Sequence, residues 1–204
     1  RDGLAFLARW ADGISIVDVG AGIRGGSPFA PAAVAELPSP ALSFSGPDGS
    51  GAARAYQVRR WRDWLLVGES IVGCSACDTG PRGGVRFIDL TDLQQPAQRA
   101  WYQVPDAGVR DLEVDARAER LTAAFGTGGV RRLDVSGELR GDLYEQGRET
   151  AAAATGAWHT GVPSRSLARG ARALKGSLFV ADMYAGLKVF RVESMTETED
   201  REPT

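Results

Sequence analysis

The sequence predicts an all-β fold, a β-propeller built from four-stranded antiparallel blades with about four blade repeats. Three observations carry this expectation. A seven-residue pattern (Gly, apolar, any, apolar, apolar, Asp, apolar) returns four times along the 204 residues. An apolar run and a Gly-bearing turn precede each copy, which reads as a β-hairpin. The glycines heading the pattern stand at 13, 84, 129 and 186, and the shortest interval, 45 residues, is the size of one propeller blade.

The first copy pairs Leu4-Ala5-Phe6-Leu7 with Gly13-Ile14-Ser15-Ile16-Val17-Asp18-Val19. The second pairs Trp64-Leu65-Leu66-Val67 with Gly84-Val85-Arg86-Phe87-Ile88-Asp89-Leu90. In the third, Leu121-Thr122-Ala123-Ala124-Phe125 precedes Gly129-Val130-Arg131-Arg132-Leu133-Asp134-Val135, where Arg132 interrupts the apolar run. In the fourth, Leu178-Phe179-Val180-Ala181 precedes Gly186-Leu187-Lys188-Val189-Phe190-Arg191-Val192, where Arg191 replaces the Asp. An earlier alternating run supplies a first strand to three copies: Tyr56-Gln57-Val58, Leu112-Glu113-Val114 and Ser166-Leu167-Ala168. A trailing strand such as Arg99 to Val104 completes a four-stranded meander.

Repeats fill 1–195, and 196–204 is a polar tail. The long first interval contains 20–51, where Pro28, Pro31, Pro38, Pro40 and Pro47 among many Gly and Ser predict a long irregular surface connection. The run Ala151-Ala152-Ala153-Ala154 reads as a short helical turn or a loop insertion. The first copy begins at its second strand and the last stops after its third. The simplest reading is a segment of a larger ring, with a compact four-bladed ring as the alternative.

Composition narrows the function. At 43% hydrophobic and 25% charged residues the chain has the balance of a globular fold. A net charge of −2 gives no basic field for nucleic acid, so no nucleic-acid partner is expected. No apolar stretch is long enough to span a bilayer. The chain starts at Arg1 with no initiator Met or signal peptide, which reads as a processed or truncated start.

The pattern "G-(I/V/L)-x-(F/I)-(I/V)-D-(V/L)" after an "LLV"- or "LFVAD"-like strand resembles that of the LVIVD-repeat β-propellers of bacterial and archaeal proteins. The second copy matches best, from Trp64-Leu65-Leu66-Val67 through Gly84 to Asp89-Leu90-Thr91-Asp92 and Pro96. The fourth matches up to Val189, and the third in outline. The resemblance covers most of the chain outside 20–51 and 143–163. It implies a surface or secreted scaffold that binds an unknown protein or small molecule, with no shared chemistry and no cofactor. Propellers host enzymes and non-enzymes alike.

In such a meander, the turn between the second and third strands emerges on the same face as the loop entering the next blade. That face would carry Glu69, Cys74 and Cys77, Trp158 and His159, and Asp182, Met183 and Tyr184. Glu69, Trp158, His159, Asp182 and Tyr184 are the candidate ligand-binding residues. Cys74, Cys77 and His159 offer three soft ligands where a structural zinc site takes four, so no metal is expected. A local Cys74–Cys77 disulfide fits an exported protein better, with two free thiols as the alternative, and an extracytoplasmic location is the expectation.

Asp18, Asp89 and Asp134 recur at one repeat position before turns, which predicts carboxylates that accept backbone N–H groups. Trp64 and Trp101 lie inside strand runs and read as packing residues; Trp61 and Trp158 lie at strand entries. Arg59-Arg60-Trp61-Arg62 reads as a solvated strand end, and Gly126-Thr127-Gly128-Gly129 as a hairpin turn. The leading expectation is a non-enzymatic extracytoplasmic binding scaffold. The rival is a propeller hydrolase or oxidoreductase using Cys74, Cys77, His159 and Asp182.

Overall fold

A computed structural model describes residues 2–38, 54–70, 83–104, 107–155, 158–159, 162–163 and 167–192. These residues are all-β, with no helix among them. The chain divides into two compact units, one formed by residues 1–109 with 138–143 and the other by 110–137 with 144–204.

The first unit contains two sheets. In one, β1 (Leu4–Ala8), β2 (Ile14–Asp18) and β3 (Ala32–Leu37) form an antiparallel meander. Strand β3 corrects the expectation of an irregular connection over 20–51: Ala33, Ala35 and Glu36 pair with Val17, Ile16 and Ser15 of β2 despite the flanking prolines. The other sheet is the meander of β4 (Arg54–Trp61), β5 (Trp64–Ser70), β6 (Gly83–Asp89) and β7 (Ala97–Val104). A fifth, parallel strand on β7 comes from far along the chain: β11 (Gly141–Asp142) pairs Gly141 with Ala100 and Asp142 with Trp101. Burial follows the pleat. In β7, Ala100, Tyr102 and Val104 are buried while the residues between them are less so. Leu4, Ile14, Ile16, Val34 and Leu37 of the first sheet join Ala55, Leu65, Val67, Ile88 and Leu90 in one core.

The second unit repeats this plan. Strands β8 (Asp111–Asp115), β9 (Arg120–Ala124), β10 (Val130–Asp134) and β12 (Glu149–Ala153) form a four-stranded antiparallel sheet. Strand β12 corrects the reading of 151–154: Ala151, Ala152 and Ala153 pair with Arg132, Arg131 and Val130 as an edge strand. A three-stranded meander follows in β15 (Ala168–Leu174), β16 (Ser177–Asp182) and β17 (Gly186–Arg191), and β13 (Trp158–His159) with β14 (Val162–Pro163) makes a minimal hairpin. Ala124, Val130, Ala168, Ala171, Leu178, Val180 and Phe190 build the core between the two larger sheets.

The repetition reaches single hydrogen bonds. In three copies the pattern strand carries a register shift at one place against its outer neighbour: Ile16/Val17, Phe87/Ile88 and Arg132/Leu133. Within the first unit, the β1–β2 turn bonds to the start of β4, with Trp10 and Ala55 exchanging both N–H···O bonds at 3.2 Å. Within the second, the β9–β10 turn bonds to the start of β15 in the same way through Gly126 and Ala168, at 3.2 and 3.0 Å. Both first strands then bulge, between Ala55 and Gln57 and between Ala168 and Gly170. In the second unit carboxylates also stitch the two first strands together. Asp111 accepts the Ala171 N–H at 3.2 Å and an Arg172 guanidinium N–H, and Glu113 accepts the Ala173 N–H at 2.6 Å.

Candidate functional site

The repeated aspartates hold turns. Asp18, at the end of β2, accepts four backbone N–H groups: Gly20 at 2.9 Å and Ala21 at 2.6 Å on Oδ1, Arg24 at 2.8 Å and Gly26 at 3.3 Å on Oδ2. The N–H groups of Arg24 and Gly20 are the chief reason its carboxyl sits well below the usual carboxylate range. Asp89 accepts from Thr91 through both hydroxyl and backbone, and Asp134 accepts the Ser136 N–H. The Thr91 hydroxyl and N–H lower Asp89, and the Ser136 hydroxyl, ahead of its N–H, lowers Asp134.

Asp182 behaves like Asp18. Its Oδ1 accepts Tyr184 and Ala185 N–H at 2.8 and 2.9 Å, and its Oδ2 accepts the Thr155 hydroxyl and the Leu167 N–H at 2.5 and 2.7 Å. Burial pushes its carboxyl up, but these four donors outweigh burial and hold it down. With both oxygens occupied, Asp182 is a turn anchor inside the second unit. Tyr184, in the turn it anchors, is exposed.

Glu69 stands at the register position in the first unit that Asp182 holds in the second: Glu69 pairs with Ala55, and Asp182 with Ala168. It is only 1% exposed. Its Oε2 accepts from Arg86 Nε at 2.9 Å, and Arg86 Nη1 reaches Gln98 Oε1 at 3.3 Å. Burial raises the Glu69 carboxyl to about 7 against the pull of Arg86, and lowers the Arg86 guanidinium to about 10. Glu69 is therefore a buried pairing residue and not a surface ligand. The dipeptide Trp158-His159 lies on β13, paired with Val162-Pro163 in the second unit. Cys74 and Cys77, and with them the disulfide and metal readings, lie outside the described residues. Among the described residues no three His, Cys, Asp or Glu side chains are grouped to hold a metal ion.

The tryptophans invert the expectation. Trp61 is buried at the end of β4, with the Arg62 guanidinium 4.8 Å above its ring, whereas Trp64 and Trp101 are half-buried. The β4–β5 turn at Arg62-Asp63 pairs Trp61 directly with Trp64, so the two side chains share one sheet face and differ in what packs over them.

Trp10, which the sequence did not single out, is the unusual one. It sits in the β1–β2 turn at φ +60°, a left-handed conformation that bulky residues avoid. Its counterpart in the other junction is Gly126, at φ +52°. The bulge beside Ala55 presents Tyr56, 44% exposed, with its ring centroid 6.2 Å from that of Trp10 and tilted by 59°. The Arg54 guanidinium lies 5.6 Å from the centroid of the Trp10 ring. A left-handed turn residue and a bulge thus place two aromatic rings and a cation together.

A cleft of about 550 Å³ also lies in the first unit, bounded by Trp64, Asp89, Gln98 and Arg99 of the five-stranded sheet and by the strap of residues 138–140 leading into β11. The chain matches no protein-family model and no curated protein sequence. No described helix is long and apolar enough to cross a membrane.

Proposed function

We propose that the chain is a β-propeller-type binding module acting outside the cytoplasm, its sheets being successive blades, and that it presents ligands with the aromatic corner of Trp10 and Tyr56. The likeness of its repeats to LVIVD propellers supports the architecture and the location. The junction made twice with the same pair of backbone bonds, from the turn of one sheet to the first strand of the next, also supports the architecture. The candidate acids favour binding over catalysis. Asp18 and Asp182 have both oxygens filled by donors, and Glu69 is buried against Arg86 where no solute meets it.

The observation that carries the reading is Trp10. The junction needs only a residue tolerant of positive φ, and Gly126 meets that need in the other copy. Holding a Trp there costs about 1–2 kcal/mol of left-handed strain. Its contact with Tyr56 returns about 0.5–1.5 kcal/mol and that with Arg54 about 0.5–1 kcal/mol. These roughly cancel the strain, so the Trp brings little net stability over a glycine, and strain of this kind collects at functional positions.

The test is Trp10→Gly, compared with the parent on peptide and glycan arrays. The expected result is a melting temperature within a few degrees of the parent, with loss of at least one ligand that the parent retains. A Trp buried for packing would instead cost about 3–5 kcal/mol on truncation. A drop of that size with unchanged array binding would overturn the proposal.

A further inference from the structure

The cleft beside β11 departs from the repeat plan. A fifth strand joins a blade-like sheet in this one place among the described residues, and it joins in parallel. It is held by the Leu143 N–H on the Trp101 carbonyl at 2.8 Å and by burial of Leu139 and Leu143. Those anchors leave Glu138 and Arg140 projecting, with side chains 74% and 80% exposed. Opposite them stand Trp64, at the start of β5, and Asp89, Gln98 and Arg99 on β6 and β7.

The chemistry of the lining narrows the ligand. Arg140 pairs with Glu138 at 2.7 Å, and Arg99 with Asp89 at 3.5 Å. Each cation is thus matched by its own anion, so the cleft carries no net charge with which to select a phosphate or a polycation. Exposed ion pairs of this kind add little stability. They do hold planar, two-pronged donors and acceptors in place, which suits neighbouring hydroxyls on a ring. Trp64 adds an amphipathic aromatic wall against which a flat face of C–H groups packs. An aromatic wall, paired guanidinium and carboxylate groups and the Gln98 amide together fit a neutral polyhydroxylated ring, and the volume is in the range of ligand-binding clefts.

We infer that this cleft is a saccharide-binding site that takes a short neutral oligosaccharide, with Trp64 as the stacking wall and the strap residues Glu138 and Arg140 as hydroxyl ligands. The inference rests on the reading of the chain as a binding module, but it uses a surface separate from the Trp10 corner.

Titration calorimetry tests it, with glucose trisaccharides linked α-1,4 and β-1,4 and an N-acetylglucosamine trisaccharide as probes. At least one should bind with a stoichiometry of one. Arg140→Ala and Glu138→Ala, both on exposed positions that leave the fold intact, should each weaken it by about tenfold. Trp64→Ala should abolish it, and Trp64→Phe, which keeps an aromatic wall in the strand, should retain part of it. Trp10→Gly should bind the same trisaccharide as the parent does. No heat with any of the three sugars at millimolar concentration would overturn the saccharide assignment. So would binding insensitive to Arg140→Ala and Glu138→Ala. Either result would leave the Trp10 reading standing, and loss of sugar binding in Trp10→Gly would place the site at the other surface.

Discussion

Glu69 and Arg86 form the buried ion pair of the five-stranded sheet, their side chains 1% and 3% exposed. Removing one partner leaves an unpaired buried charge, so Arg86→Met alone should cost about 3–5 kcal/mol in denaturant unfolding. The double variant Glu69→Leu with Arg86→Met should recover most of that loss, because the desolvation of both ions disappears together. The pair also sets a pH dependence. Glu69 titrates near 7 in the folded protein against an ordinary 4.5, so its contribution to stability is full below 4.5 and is lost as pH rises through about 7. The aspartates act in the opposite sense. Asp18, Asp89, Asp134 and Asp182 are all depressed, and what they add is present above their ordinary 3.8 and is lost as pH falls through the folded values. Melting temperature should therefore peak at about pH 4–5 and decline toward pH 8. The double variant should lose the upper limb of that curve and keep the acid limb. A flat profile in the parent from pH 5 to 8 would contradict this account of Glu69.

At the scale of elements, the pattern glycine closes the hairpin. Gly129 has φ +74°, and a Cβ there would lie 2.2 Å from the Ala153 carbonyl of the neighbouring strand. Gly129→Ala should destabilise by about 1–3 kcal/mol, measured as a lowered unfolding midpoint. Gly186, with the same positive φ but open space where its Cβ would go, should tolerate Ala with a smaller loss. An equal effect at both positions would show that strain alone, and not the β12 carbonyl, fixes the glycine. Much of this level was legible in the sequence. Apolar runs and glycines located β1 and β2, β5 and β6, β9 and β10, and β16 and β17, because a buried strand and a left-handed turn each impose residue types. Strands β3 and β12 were not legible. Ala32–Leu37 sits among prolines and Glu149–Ala153 is an alanine run, and both are edge strands whose pairing comes from the sheet and not from intrinsic preference. The site was less legible still. Gly13 led the reading to its turn, but nothing in the local sequence marks Trp10 as left-handed, and the residue it bonds to, Ala55, lies some 45 residues away. The strap of 138–140 was hidden for the same reason, its role arising from β11 joining a distant sheet. Asp182 was read as a surface ligand because two of its four donors, Thr155 and Leu167, come from other segments.

At the scale of the molecule, the two larger sheets of each compact unit are joined by a shared core, a turn-to-strand junction and a bulge at the same place. Blade repetition accounts economically for these coincidences, since one packing solution for neighbouring sheets is then used again. Within the first unit, residues 107–109 bond to the ends of β5 and β6 through Val109 N–H to Glu69 O at 2.8 Å and Gly83 N–H to Ala107 O at 3.0 Å. A crystal structure of the protein tests the central claim most directly. The account predicts four sheets related by successive rotations about one axis, with each first strand entered beside the preceding sheet's turn. Sheets of the two units lying in unrelated orientations, with no common axis, would contradict it.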